Sequence, residues 1–243
     1  MTMRPQVPAC LQPGGSLYRH RATGRIVMVY HDQIFAAHHP KYTFDSCAIE
    51  SRLHHIPGLA ETFLYSNDDT YVLKPLPPSL FFTSEGLPIA DDEGMWLYKT
   101  ATAPLFAPFL NTFLKSYYYA LYNVMQGTPA IFMREHHVFP LTKSSMTRAQ
   151  EAYPEEWEKM SRNLFRSSQM MPVLAVAQTH ALLTRGAVLG HYPLAKKVNH
   201  GLTRKVRDNI NAQKYDMLCL NNLSPEEQEA VLPTLLLDRK MRK

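Results

Sequence analysis

The residues of this chain best placed for chemistry are Asn67, Asp68 and Asp69, which directly follow the apolar run Thr62-Phe63-Leu64-Tyr65. The run reads as a strand, and adjacent carboxylates beyond its carboxyl end sit where open α/β sheets bind ligands. Two such carboxylates can hold a hard divalent cation through oxygen. That cation neutralises a diphosphate and stabilises it as a leaving group, the logic of many enzymes that act on sugar nucleotides. The same tripeptide also suits a plain hairpin turn, because Asn and Asp favour turns. Two further side chains stand out. His136 precedes the turn Pro140-Leu141 and titrates near neutrality, which suits a general base. Arg166 suits a bidentate grip on phosphate. A surface histidine and a solvated helix arginine are the plainer readings of those two residues.

The elements that must position these groups are legible in outline. Arg25–Tyr30 reads as a short apolar strand after a loose, Pro-rich leader over residues 1–24. Ser46 can cap a helix from Cys47 to His55, whose residues Ile49, Leu53 and Ile56 share one face until Pro57-Gly58 stops it. Tyr71–Leu73 reads as a third strand. The second half reads as mainly helical. Core helices are expected within Thr100–Val124 and Met171–Tyr192, and another opens at Pro154-Glu155-Glu156 with Trp157, Met160 and Leu164 on its apolar stripe. Met217–Leu220 reads as a late strand, and Ser224-Pro225-Glu226-Glu227 as a capping box. This order favours an α/β domain with a helical insertion. It divides into a strand-and-acid region (25–95), a mainly helical region (96–214) and a closing strand and helix (215–243).

Composition removes several classes. The 243 residues carry a net charge of +5, too small an excess to indicate nucleic acid as a partner. Neither a Gly-rich dinucleotide fingerprint nor a P-loop motif occurs, in keeping with 18 Pro against only 10 Gly. Three widely spaced cysteines give no zinc ribbon and no fully paired disulfide framework. The adjacent pairs His38-His39, His54-His55 and His136-His137 make poor chelates, because neighbouring side chains on a helix or strand point apart. No stretch has the length or apolarity of a membrane span. Lys196, Lys197, Arg204, Lys205, Arg207 and Lys214, against Asp208, read as a solvated face or as an attractor of an anionic substrate.

The segment from Phe44 to Glu61, running on into Phe63–Asp69, adds a specific match. It resembles the second motif block of the Stealth family of sugar-phosphate transferases, F-N-S-x-A-I-E-x-x-L-x-x-I-P-G-L-S-E-x-F-x-Y-x-N-D-D, departing only at Asp45 and Ala60. Phe81, Phe82 and Gly86 continue the pattern, and Val27–Phe35, with His31, looks like the strand before it. Arg134–Ser144 resembles the third block, H-x-P-x-P-L-x-K-S, with His136 in the histidine position and Val138 replacing a proline; Phe165-Arg166 matches its F-R segment. Met217–Asn222 resembles the last block, C-x-N-D, with Asn222 in place of the terminal Asp. The family's opening block, D-x-V-Y-T-W-V-D-G, has no counterpart before Arg25, and the resemblance covers about residues 25–225.

This resemblance implies an incomplete Rossmann-like nucleotide-sugar transferase sheet with a helical insertion, moving a sugar-1-phosphate from a nucleotide sugar donor to a hydroxyl of a glycan acceptor. Asp68 and Asp69 would organise Mg2+ or Mn2+, His136 would deprotonate the acceptor and Arg166 would stabilise the transferring phosphoryl group. Ser46, Glu50, Asn67 and Arg134 would contact substrate. The expected compartment is the Golgi or secretory lumen in a eukaryote and the cytoplasm in a bacterium. The missing opening strand implies an open sheet edge near Arg25–Tyr30 and little activity from these residues alone. A catalytically inactive glycan-binding or scaffold relative is the alternative, favoured by Asn222.

Overall fold

The computed structural model of the chain describes residues 16–19, 26–40, 42–91, 137–166, 171–190, 195–199, 204–211, 214–221, 224 and 226–227. His136, Arg134, Asn222 and the apolar stretch 100–124 lie outside them. Nine strands and six helices are described: β1 (Ser16–Arg19), β2 (Ile26–Val29), α1 (His31–Ile34), α2 (Ser46–Glu50), β3 (Thr62–Tyr65), β4 (Thr70–Val72), β5 (Ile89–Asp91), β6 (Phe139–Thr142), α3 (Lys143–Ala152), α4 (Pro154–Ser161), α5 (Val173–Leu183), β7 (Val188–Gly190), β8 (Ala195–Asn199), α6 (Arg204–Asn211) and β9 (Met217–Asn221). The architecture is mixed α/β. Among the described residues the strands form small sheets: β1 against β2, β3 against β6, β5 parallel to β7, and β4-β9-β8 with β9 central.

Two pairings position the acidic motif. β3 lies antiparallel to β6 with Tyr65 opposite Phe139 and Leu64 opposite Pro140. The Lys143 N–H reaches the Glu61 carbonyl at 2.9 Å, so bonded rungs alternate from there and Pro140 falls on a rung that needs no donor. Beyond Asp69 the chain turns into β4, whose Thr70 faces Cys219 of β9.

The main core sits between α2, α3, α4 and α5. Ala48, Ile49, Leu53, Ile56, Met146, Trp157, Met160, Val173 and Val176 are all buried there. α5 is apolar almost all round because it runs through this core rather than over it. α3 opens on a reciprocal cap, in which the Thr142 hydroxyl accepts the Ser145 N–H at 3.1 Å and Ser145 Oγ faces the Thr142 N–H. α4 begins at Pro154 with Glu155 and Glu156 in its first turn, as its sequence dictates.

Several expectations change. The cap of α2 is Asp45, which accepts the Cys47 N–H at 3.0 Å; Ser46 is already helical. The helix ends at Glu50 instead of reaching His55, and Leu53–His55 forms a 3-10 turn. The cause is tertiary. The Trp157 indole N–H takes the Ser51 carbonyl at 2.8 Å, the acceptor that His55 would use in a continuous helix, and the His55 N–H bonds Arg52 instead. Leu164 is not part of the α4 stripe: the helix stops at Ser161 and Leu164 is 46% exposed. The second half is less helical than expected, since β6, β7 and β8 lie within it. Strand β7 follows α5 after Arg185 turns the chain with φ of 58°. Within the segment read as leader, Ser16–Arg19 pairs with one side of β2, and among the described residues the two form a two-stranded sheet.

Trp157 is fully buried and spends its only polar hydrogen on Ser51. Trp157→Phe should cost about 1–3 kcal/mol, because the Ser51 carbonyl loses its donor and the smaller ring leaves a void. Urea denaturation of the purified variant measures this.

Candidate active site

Asp45, Ser46 and Glu50 come from the α2 turn, Tyr65 and Asn67 from the end of β3, and Arg166 from the segment after α4. Arg166 Nη2 donates to Ser46 Oγ at 3.2 Å. The Tyr65 hydroxyl lies 3.1 Å from Glu50 Oε1 and 2.8 Å from Asn67 Oδ1. It has one proton to give. With Glu50 ionised the proton serves Glu50; with Glu50 protonated, Glu50 can donate to the Tyr65 oxygen while Tyr65 donates to Asn67.

Electrostatics bind these groups into one neighbourhood. Glu50 is 8% exposed, and burial pushes its carboxyl up to about 7, against the opposing Tyr65 hydrogen bond; the Asp45 charge pushes it further up and Arg166 pulls it down. Burial also raises Asp45, a rise that its bonds from Cys47 and Asn163 and the Arg166 charge oppose. The Tyr65 hydroxyl is raised well above its usual value by burial, with the Glu50 and Asp68 charges adding. A buried carboxyl titrating near neutrality beside an arginine is the combination proton-transfer sites use.

The two aspartates differ. Asp68 is exposed. Asp69 is tied to β9: its carbonyl accepts the Leu220 N–H at 2.9 Å, and its Oδ2 accepts the Cys219 thiol at 3.2 Å. Asn67, Asp68 and Asp69 carry oxygen donors of the type a hard divalent cation takes, with Asn67 Oδ1 and Asp69 Oδ2 engaged by Tyr65 and Cys219. Just before β6, the buried Nδ1 of His137 lies 2.9 Å from the Val138 carbonyl; that contact puts its proton on Nδ1 and leaves Nε2 as an acceptor. Its ring packs on Phe139, which stacks against Tyr65.

Of the residues singled out from sequence, the structure brings Glu50 and Asn67 onto the Tyr65 hydroxyl, pairs Arg166 with Ser46 near enough for its charge to act on Glu50, and places Asp68 close enough to act on Tyr65. Sequence reasoning passed over Tyr65 and Asp45. Tyr65 is the tyrosine of the family pattern, but its place on an apolar strand gives it no role by itself; Asp45, directly before a helix, had a capping signature that was assigned to Ser46.

A second polar cluster lies elsewhere. The adjacent pair His38-His39 sits in a turn, not on a helix or strand, so both rings reach one carboxylate: His38 Nε2 is 3.1 Å and His39 Nε2 3.2 Å from Glu158. The donors do not fit a metal ion. Arg52 Nη2 lies 2.6 Å from His39 Nε2 and 3.2 Å from Glu158, a cation where an ion would sit. The Ala36 N–H also donates to His39 Nδ1, which puts the ring proton on Nε2. The cluster is an ion-pair clasp between the 38–39 turn and α4. Burial works to raise the Glu158 carboxyl, but hydrogen bonds from Arg162, His38 and His39 outweigh it and hold Glu158 at about 2. A depressed carboxyl contributes stability above its ordinary 4.5 that is lost as pH falls through 2. Glu158→Gln should therefore destabilise the chain at pH 7, by about 1 kcal/mol given solvent screening, and the difference should vanish by pH 2. Denaturation curves of both proteins across that range test it.

Comparison with known proteins agrees with the geometry. Residues 17–90 match the family model described as Stealth protein CR2, conserved region 2, and residues 135–181 match Stealth protein CR3, conserved region 3. The first match begins within β1, upstream of the Arg25 start read from the motifs. An exopolysaccharide phosphotransferase of Streptomyces coelicolor is 31% identical over 237 residues, covering 93% of this chain and 41% of that protein. The exopolysaccharide phosphotransferase CpsY of Mycobacterium tuberculosis is 30% identical over 213 residues, covering 85% and 39%. The capsular polysaccharide phosphotransferase SacB of Neisseria meningitidis serogroup A is 30% identical over 220 residues, covering 82% and 37%. The chain thus spans about two fifths of the length of these relatives. With both conserved regions present and polysaccharide phosphotransferases matched over most of its length, this chain belongs to the Stealth family.

Proposed function

We propose that the chain transfers a sugar-1-phosphate from a nucleotide sugar to a hydroxyl of a glycan. The observation that carries this reading is the pairing of Arg166 with Ser46 beside Glu50, a buried carboxyl that titrates near neutrality. The acceptor oxygen attacks the phosphorus that bears the sugar. The bond from that phosphorus to the bridging oxygen breaks, and a nucleoside monophosphate leaves with the electron pair. Such a transfer needs mainly positioning and charge stabilisation. Arg166 holds the transferring phosphoryl oxygens, and Ser46 fixes the guanidinium that does so. His136 takes the acceptor proton. Glu50 is a second group able to carry a proton at neutral pH, and Tyr65 links it to Asn67. Asp68 and Asp69 would hold Mg2+ or Mn2+, which when bound supplies positive charge to the diphosphate.

The products decide the reading. Incubation with UDP-N-acetylglucosamine, GDP-mannose and other nucleotide sugars, Mg2+ and oligosaccharide acceptors should release the nucleoside monophosphate. Release of the diphosphate would indicate ordinary glycosyl transfer. Absence of any release with every donor, together with retained glycan binding, would indicate an inactive glycan-binding relative.

The aspartates give a separate prediction. Asp68→Asn should abolish Mg2+-dependent binding of the donor while changing stability by no more than about 0.5 kcal/mol, because Asp68 is exposed. Asp69→Asn should lose the same binding and cost about 1 kcal/mol more, since it weakens the bond from Cys219. Calorimetric titration with each nucleotide sugar, with and without Mg2+, measures the first effect, and urea denaturation the second.

A further inference from the structure

Two loops meet beside the Arg166–Ser46 contact and leave aromatic rings in water. Phe44 and Phe165, far apart in sequence, stack with ring centroids 5.3 Å apart and planes within 3°. Yet Phe44 is 47% exposed and Phe165 64% exposed. Tyr42 and Leu164, neighbours of the two rings in sequence, are exposed as well. A pair of large rings held against each other in water is the kind of exposed apolar surface that binding sites use.

The rings are held, not loose. The Thr43 hydroxyl donates to the Asn163 carbonyl at 2.5 Å, and the Phe44 N–H donates to the Leu164 carbonyl at 2.7 Å. The Asn163 amide also reaches Asp45 Oδ2 at 3.4 Å. These bonds clasp the 42–45 loop to the 163–166 loop. The platform is therefore preorganised and pays little ordering entropy on binding. It is also continuous with the candidate phosphate grip: Arg166 follows Phe165 directly, and its partner Ser46 lies two residues after Phe44.

We infer that the Phe44–Phe165 stack is the platform for a pyranose ring of the acceptor glycan, placed against the phosphoryl group that Arg166 holds. This inference rests on the phosphotransferase reading above. The chemistry favours a sugar over a base. Aromatic faces are electron-rich and attract the polarised C–H bonds of a pyranose face, while the sugar hydroxyls stay in water. Reading a base requires hydrogen bonds to its edge, and the backbone groups of this clasp are committed to one another. The platform is exposed, so a ring of an extended glycan can lie on it while the rest of the chain stays in water.

The test uses the whole 243-residue chain with maltotriose, chitotriose, mannotriose and UMP as probes, read by saturation-transfer NMR and calorimetry. At least one trisaccharide should bind, with saturation transferred to ring C–H protons. Phe165→Ala and Phe165→Leu should each weaken that binding tenfold or more, Phe165→Tyr should retain it, and UMP binding should not change. Circular dichroism should be unaltered, because Phe165 is exposed. Absence of trisaccharide binding to the unaltered chain, or binding that Phe165→Ala and Phe165→Leu leave intact, overturns the platform. Loss of UMP binding in Phe165→Ala makes it a nucleobase platform and overturns it too. The phosphotransferase reading fails by a different result, the absence of nucleoside monophosphate release, whatever the sugar binding.

Discussion

Glu50→Gln is expected to make the protein more stable above pH 7 and to remove its transfer activity. The sign follows from burial. The Glu50 carboxyl titrates at about 7 in the fold against an ordinary 4.5, so the fold favours its protonated form. Its contribution to stability is complete below 4.5 and is lost as pH rises through 7. At pH 8.5 the ionised, buried carboxylate costs up to about 3 kcal/mol relative to the unfolded chain. Gln stays neutral, accepts the Tyr65 hydroxyl through its oxygen and escapes that cost, less what its amide loses for want of an acceptor. Denaturation at pH 8.5 should therefore show the variant ahead by about 1–3 kcal/mol, and at pH 4.5 the advantage should be gone. Transfer should fall by about a hundred- to ten-thousandfold, the range for loss of a proton-carrying group. Equal destabilisation at both pH values would mean that Glu50 is ionised and paired at neutral pH. A strained functional site that gains stability when disarmed is a familiar trade.

Arg166→Ala should cost about a thousandfold or more in kcat with little change in folding stability. The first effect follows from the charge that develops on a transferring phosphoryl group, where a positioned arginine is worth about 10³–10⁵. The second follows from the exposure of Arg166, whose bond to Ser46 is its single hydrogen bond among those described. Arg166→Lys should recover only part of the loss, since an ammonium lacks the planar fork that grips two oxygens. The pH profile supplies an independent check. The Arg166 charge pulls Glu50 downward, so removing it should move the acid limb of the activity profile to higher pH. A lower kcat with an unmoved limb would place Arg166 away from Glu50 in solution.

Much of the local structure could be read before any coordinates. Strand β3 begins and ends where its apolar run does, and β9 lies where Met217–Leu220 reads as a strand. Helix α4 starts at its Pro-Glu-Glu turn, and the Ser224–Glu227 capping box forms as written, with bonds of 3.0 and 3.2 Å. These features depend on residues within a few positions of one another, so periodicity and capping chemistry suffice. The adjacent carboxylates, Arg166 and the family pattern were equally visible, because each is carried by a contiguous stretch.

What the tertiary structure decided depends on residues about a hundred positions apart. Trp157 shortens α2 by taking the Ser51 carbonyl, and no window around Ser51 contains that information. The strands of the second half exist because distant partners complete them: β6 needs β3, and β7 needs β5. Adjacent histidines looked unable to share a ligand, yet a turn aims both at Glu158. Glu50 is marked by the family pattern as a substrate contact, but nothing in the sequence gives its protonation; only packing against Tyr65 and the core desolvates it and carries its titration toward neutrality. The sequence by itself determined which groups could act and the family they belong to. Their protonation and mutual distances were decided by the fold, because desolvation and charge act through space and not along the chain.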